Sequence, residues 1–207
     1  MEALTNSWRA LVAEVTGSTF LVFCGSIMFS SPDTLDELKH RMFLASLGDV
    51  GLRFGMTLAT LAVALGPVSG AHFNPVVSMS ALINGRIEWQ PCLLYVAAQL
   101  LGSLMGAAMA WGLGGSGVTL PSGMHNGSIK ALCIEMLITG LLVLVFLGAS
   151  DPERGDALKD LGGVAVGLAL AVGHWVGVYF VGPPVGAAIS AVVYKFVFSG
   201  AKEGGGF

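Results

Sequence analysis

Apolar residues run through this chain in long blocks instead of alternating with polar ones. Blocks of transmembrane length extend from about Ala10 to Phe29, Val50 to Gly66, Cys92 to Leu113 and Ile129 to Ala149, and then without interruption from Leu161 to Phe198. About 20 apolar residues in a helix cross a hydrocarbon core of roughly 30 Å, so each of the first four blocks predicts one span. As one helix the last block would be about 55 Å long, so it predicts two spans joined by a tight turn. The expectation is an all-α membrane protein with six transmembrane helices.

Between the second and third spans lies PVSGAHFNPVVSMSALINGRIEW. It is too long for a tight turn and too apolar for a solvated loop, and reads as a re-entrant segment. Asn74 before Pro75 is a helix-start signal, with asparagine as N-cap and proline at the first helical position. The helix it opens, to about Leu82, is about half a membrane long. Non-helical backbone at that depth is tolerated only when buried in protein or lining a watery cavity.

Polar connectors fall at Ser30 to Asp49, Gly114 to Ser128 and Asp151 to Asp160. With the N-terminus inside, Arg9, Arg86, Arg154, Lys159, Lys195 and Lys202 are cytoplasmic, while Lys39, Arg41, Arg53 and Lys130 are outside. Both termini are then expected in the cytoplasm, with the sequon Asn126-Gly127-Ser128 facing outward as an N-glycosylation acceptor. The N-terminal stretch carries Glu2 and Glu14 and lacks a signal-peptide cleavage pattern, so it reads as a retained first span.

Composition sharpens this picture by exclusion. Hydrophobic residues make up 54% and charged residues 11% of 207 positions, far from a soluble globule. The 30 glycines suit helices that pack closely through small residues in lipid. A net charge of −3 without a basic cluster excludes nucleic acid as a partner. Cys24, Cys92 and Cys133 sit in apolar runs with no ligand spacing, so no metal site and no cofactor are expected.

The chain also resembles itself. The first span (AEVTGSTFLVF) is similar to the fourth (IEMLITGLLVLVF), pairing Glu14 with Glu135. The second and fifth align at an offset of 112 (Gly55 to Gly167), the third and sixth at 84 (Gly102 to Gly186). The drop from 112 to 84 is a gap of 28 residues, matching the stretch from Gly66 to Tyr95 that holds the re-entrant segment. No Asn or Arg follows Arg154, so no second asparagine helix start hides in a shifted alignment. One domain, residues 1–207, is expected, with repeat one at about 8–113 and repeat two at about 129–198. The missing 28 residues would fall near 178–179.

These residues resemble the aquaporin, or major intrinsic protein, family over essentially the whole chain. SGAHFNPVVS (Ser69 to Ser78) is similar to its first re-entrant signature, with Val76 where alanine is usual, and AEVTGSTFLVF, YVAAQLLGSLMGAA and YFVGPPVGAAISAVVY resemble its first, third and sixth helices. The resemblance implies a tetramer, each subunit with a pore formed by two half-helices meeting at mid-membrane. Their N-termini each carry about half a positive charge and repel cations. Only Asn74 matches the family's asparagine pair. By the same resemblance, Phe54 and His174 fall at filter positions, His174 also fitting the His-Trp pair before the sixth helix, and the filter arginine is absent. His72 would brace the loop, and Glu14 and Glu135 would accept hydrogen bonds from the re-entrant loops, one of them deprived of donors.

Two functional expectations follow. The first is a plasma-membrane channel in the lipid bilayer passing water and other small neutral solutes past Asn74, Pro75, Phe54 and His174. The second is a non-conducting member acting through assembly with intact subunits. An enzyme is not expected: no nucleophile, base or metal constellation is present.

Overall fold

A computed structural model of the chain describes residues 2–26, 50–113, 129–151, 161–176 and 182–199. Apart from connecting turns and residues 70–74, they are helical. The order is α1 (Glu2–Ser26), α2 (Val50–Ser69), α3 (Pro75–Ile83), α4 (Trp89–Gly112), α5 (Ile129–Ala149), α6 (Gly162–Val176) and α7 (Gly182–Val193), continued by a π-helical turn (Tyr194–Ser199). Three of them are long and apolar enough to cross a membrane: Val50–Ser69, Trp89–Gly112 and Leu132–Ala149. The unbroken apolar block is divided, with α6 ending at Val176 and α7 beginning at Gly182. The expected position of the deletion, 178–179, lies outside the described residues.

Small residues set the helix crossings. A Cβ on Gly55 would run into the carbonyl of Gly167, and one on Gly167 into the carbonyl of Gly55, so α2 and α6 touch backbone to backbone. Gly102 and Gly106 on α4 lie against the carbonyls of Val15 and Thr19 on α1. In the other half, Gly186 on α7 lies against the carbonyl of Met136 on α5, and Gly140 on α5 faces the hydroxyl of Ser190 on α7. Van der Waals packing of this closeness is what holds apolar helices together where lipid removes the hydrophobic drive.

Large side chains point away from these seams. On α4, Leu93, Leu100, Leu104 and Trp111 are exposed, as a lipid-facing surface requires. Pro67 sits inside α2. Gly66 before it removes part of the strain, since it lacks the Cβ that joins the backbone N–H in the clash driving pre-proline residues from helix geometry. The buried centre combines Leu21, Leu58, Phe73 and Val77 of the first half with Leu142, Phe146, Val166 and Ala187 of the second.

Candidate functional site: the re-entrant segment and its cavity

The site begins where α2 stops. Gly70, Ala71 and Phe73 have φ of 82°, 51° and 47°. Two of these are not glycine, and left-handed backbone is uncommon for such residues and has to be held by its surroundings. Glu14 on α1 does the holding. One carboxylate oxygen accepts from the Ser69 hydroxyl (2.7 Å) and the His72 amide (3.0 Å). The other accepts from the Phe73 amide (2.8 Å) and the Gln99 side chain (2.7 Å). The Ala71 amide donates to the Ser69 hydroxyl at 3.1 Å, and Tyr95 donates to the Ser69 carbonyl at 2.9 Å. Glu14 has no solvent exposure, so α1, α2, α4 and the turn are locked by one buried acceptor.

The turn is seated from both sides. Phe73 is accommodated because Gly17 leaves room: a Cβ there would overlap its ring. His72 shares a hydrogen bond with Ser78 (Nδ1 to Oγ, 3.0 Å) and stands edge-on to Tyr95 and Phe146, with centroids 5.1 and 5.2 Å away. The geometry therefore places His72 against the loop, α4 and α5 together.

Asn74 then starts α3. Its backbone is extended (φ −151°, ψ 126°), and its Oδ1 accepts from the Val76 amide at 2.9 Å, with Pro75 opening the helix. Asparagine is among the preferred N-caps, and proline costs nothing at a position whose N–H would lack a helical acceptor. Of the Asn74 amide, only the oxygen is engaged among the described residues, leaving Nδ2 as a donor. Nine residues of helix extend about 13 Å, less than half a hydrocarbon core.

The far end of α3 is pinned to the second half. Asn84 donates to the Ala191 carbonyl and Lys195 to the Ile83 carbonyl, each at 3.0 Å. Arg86 donates to Ser150 and to the Leu147 carbonyl (2.9 Å), and its guanidinium lies over Tyr194, whose hydroxyl donates to Asp151 at 2.6 Å. Arg86 thereby supplies donors and positive charge at the C-terminal end of α5, where carbonyls are otherwise unsatisfied.

Between α3 and the second half lies a cavity of about 130 Å³, lined by Leu21, Phe54, Leu58, His72, Asn74, Val77, Leu142, Phe146, Val166 and Leu170. The structure thus brings Phe54 of α2 to one space with His72 and Asn74 of the re-entrant segment. Glu135 is buried on α5, at 2% exposure. His174 falls on the last turn of α6 but its side chain lies outside the described residues, as does Asn126. Ser69, Ser78 and Arg86 were not singled out as site residues, nor were Leu142, Val166 and Leu170. The repeat could have pointed to Val166, which follows Phe54 by 112; Leu142 and Leu170 answer to Leu21 and Leu58, which no sequence signal marked either. Among the described residues there is no cluster able to hold a metal.

Comparison with known proteins agrees with this architecture. The family model described as Major intrinsic protein matches residues 2–180. Aquaporin-5 of Sus scrofa is 29% identical over 213 positions, covering 87% of this chain and 80% of its own. Lens fiber major intrinsic protein of Lithobates pipiens is 31% identical over 224 positions, covering 92% and 81%. In the first alignment, 213 positions take in about 180 of 207 residues, so about 33 positions hold no residue of this chain. The X-ray structure of the aquaglyceroporin from Plasmodium falciparum superposes with a TM-score of 0.68 at 19% identity, covering 94% of this chain and 98% of that one, a likeness of fold. A family match across residues 2–180, joined to a re-entrant asparagine-capped half-helix held by a buried glutamate, makes this chain a member of the aquaporin, or major intrinsic protein, family.

Proposed function

We propose that the chain forms a channel for passive movement of water and other small neutral solutes across a bilayer. The observation that carries this reading is the convergence of Asn74, at the N-terminus of half-helix α3, and Phe54 on one cavity. The helix start supplies about half a positive charge, which disfavours cations, and Asn74 Nδ2 supplies a donor to a passing solute. Phe54 narrows the conduit, with His174 proposed as its partner on α6. The family relationship supports a channel in place of an enzyme.

We assign the shortfall near 178–179 to loss of the second re-entrant insert. The lack of asparagine after Arg154 favours it, and the unfilled alignment positions leave room for it. Tetrameric assembly, a plasma-membrane destination and cytoplasmic termini complete the reading. A non-conducting member that assembles with intact subunits is the second reading. It is favoured by the cavity lining, where among the described residues the second half contributes only Leu142, Phe146, Val166 and Leu170.

Osmotic swelling of vesicles holding this chain alone, with proton leak recorded in parallel, tests the proposal. Swelling well above that of empty vesicles, and reduced by Asn74→Leu, is expected. Swelling no faster than empty vesicles would exclude conduction and leave the second reading.

A further inference from the structure

Glu14, Gln99, Ser78 and His72 form one chain of side-chain hydrogen bonds, running from α1 through α4 and α3 to the turn, and all four residues are buried. Its direction follows from where the hydrogens can go. Each Glu14 oxygen faces a backbone amide, His72 on one and Phe73 on the other, and a backbone N–H can only donate. Ser69 Oγ takes the Ala71 amide and gives its own hydrogen to Glu14. Both oxygens of Glu14 therefore act as acceptors.

Gln99 Nε2 lies 2.7 Å from Glu14 and 2.9 Å from Ser78 Oγ, so both of its hydrogens are used. Gln99 Oε1 is buried and, among the described residues, has no partner. The reversed amide would set an oxygen against the Glu14 carboxylate and leave two buried N–H hydrogens unpaired in place of one oxygen, the costlier arrangement. Ser78 Oγ accepts from Gln99, and among the described residues its other hydrogen-bond partner is His72 Nδ1, at 3.0 Å. The Ser78 hydrogen points there, and Nδ1 must be bare to receive it.

We infer that Gln99 and Ser78 are positioning residues that fix His72 as its neutral Nε2–H tautomer, with Nδ1 sealed against α3. The rings of Tyr95 and Phe146, edge-on at 5.1 and 5.2 Å, hold the imidazole in that orientation. The inference deepens the channel reading and rests on it for its biological sense only; the tautomer itself rests on the hydrogen-bond chain. His72 lines the cavity, where Nε2–H can donate to a solute oxygen while the one basic ring nitrogen is occupied by Ser78. A proton entering the cavity thus finds no free base on this ring.

Solid-state NMR of the full chain in lipid bilayers, labelled at its histidine ring nitrogens, reads the tautomer directly, because bare and protonated nitrogens resonate far apart. The His72 signals are those missing from His72→Gln. At neutral pH the wild type is expected to show a bare Nδ1 and a protonated Nε2. Gln99→Glu keeps the side-chain length and reverses the chain. One proton serves the two neighbouring carboxyls, the introduced oxygen accepts from Ser78, and Ser78 Oγ takes a hydrogen from Nδ1. The two ring nitrogens should then exchange their shifts, which a packing role for Gln99 would not cause. Ser78→Ala should move Nδ1 to the position of an imidazole nitrogen with no donor, and this comparison decides should Gln99→Glu lack a thermal transition. A protonated Nδ1 in the wild type, an unchanged tautomer in folded Gln99→Glu, or an unmoved Nδ1 in Ser78→Ala overturns the inference. Vesicle swelling separates it from the channel reading. Swelling with a protonated Nδ1 removes the inference and keeps the channel, whereas the expected tautomer without swelling keeps the inference and removes the channel.

Discussion

Glu14 concentrates the local energetics of the site in one side chain. Four donors converge on its two oxygens, two of them amides of the turn at His72 and Phe73 that the left-handed backbone would otherwise leave without acceptors. Glu14→Ala should destabilise the protein by on the order of 3 kcal/mol or more, because buried donors are left unpaired. Thermal unfolding in detergent measures this, and Glu14→Gln, which keeps one acceptor, should fall between. Asn74→Asp separates capping from charge. Aspartate caps a helix as well as asparagine, so stability should hold, while the added negative charge at the conduit should raise cation leak through vesicles. The sequence made Glu14, His72 and Asn74 legible because a carboxylate in a span, a histidine in an apolar run and an Asn-Pro pair each break a pattern. Ser69 and Ser78 break none, since serine is common in such helices, so their hydroxyls became visible only through their partners.

At the scale of elements, close backbone approach decides the assembly. Gly55 and Gly167, equated by the sequence repeat, are also the residues that meet in space. Gly167→Leu should force α2 and α6 apart and cost at least about 1–3 kcal/mol. Gly112→Ala, at a position where an added Cβ meets nothing, should change stability by less than about 1 kcal/mol. The contacts between α1 and α4 reappear between α5 and α7 with a twist. Gly102 against Val15 becomes Gly186 against Met136, while Gly106 against Thr19 becomes Ser190 against Gly140, the small residue having changed helices. Glycine counting alone could not reveal that exchange. Arg86 shows a second limit of sequence reading. It counted only as a topological charge, yet it ties the segment after α3 to α5 and to Tyr194. Arg86→Met keeps the apolar stem and removes the donors, and proteolysis of the folded protein should then be faster around residues 84–88.

Across the whole molecule, the all-helical membrane fold was legible from block lengths, and the two-part last block from a length no bilayer accommodates. The conduit was less so, because a cavity depends on which side chains of distant helices face one another, and a list of apolar positions is silent on that. The described residues form a near-symmetric frame of paired helices around an asymmetric centre. One half-helix brings Asn74 and its dipole, and the opposite wall is apolar. Whether such a centre conducts is measured most directly by stopped-flow swelling of vesicles containing the wild-type chain beside Leu58→Trp, whose ring would fill the cavity from α2. The expected result is fast swelling for the wild type and loss of most of it in Leu58→Trp at equal protein content. Equal swelling of the two, or swelling of neither above empty vesicles, would contradict a conduit through this cavity.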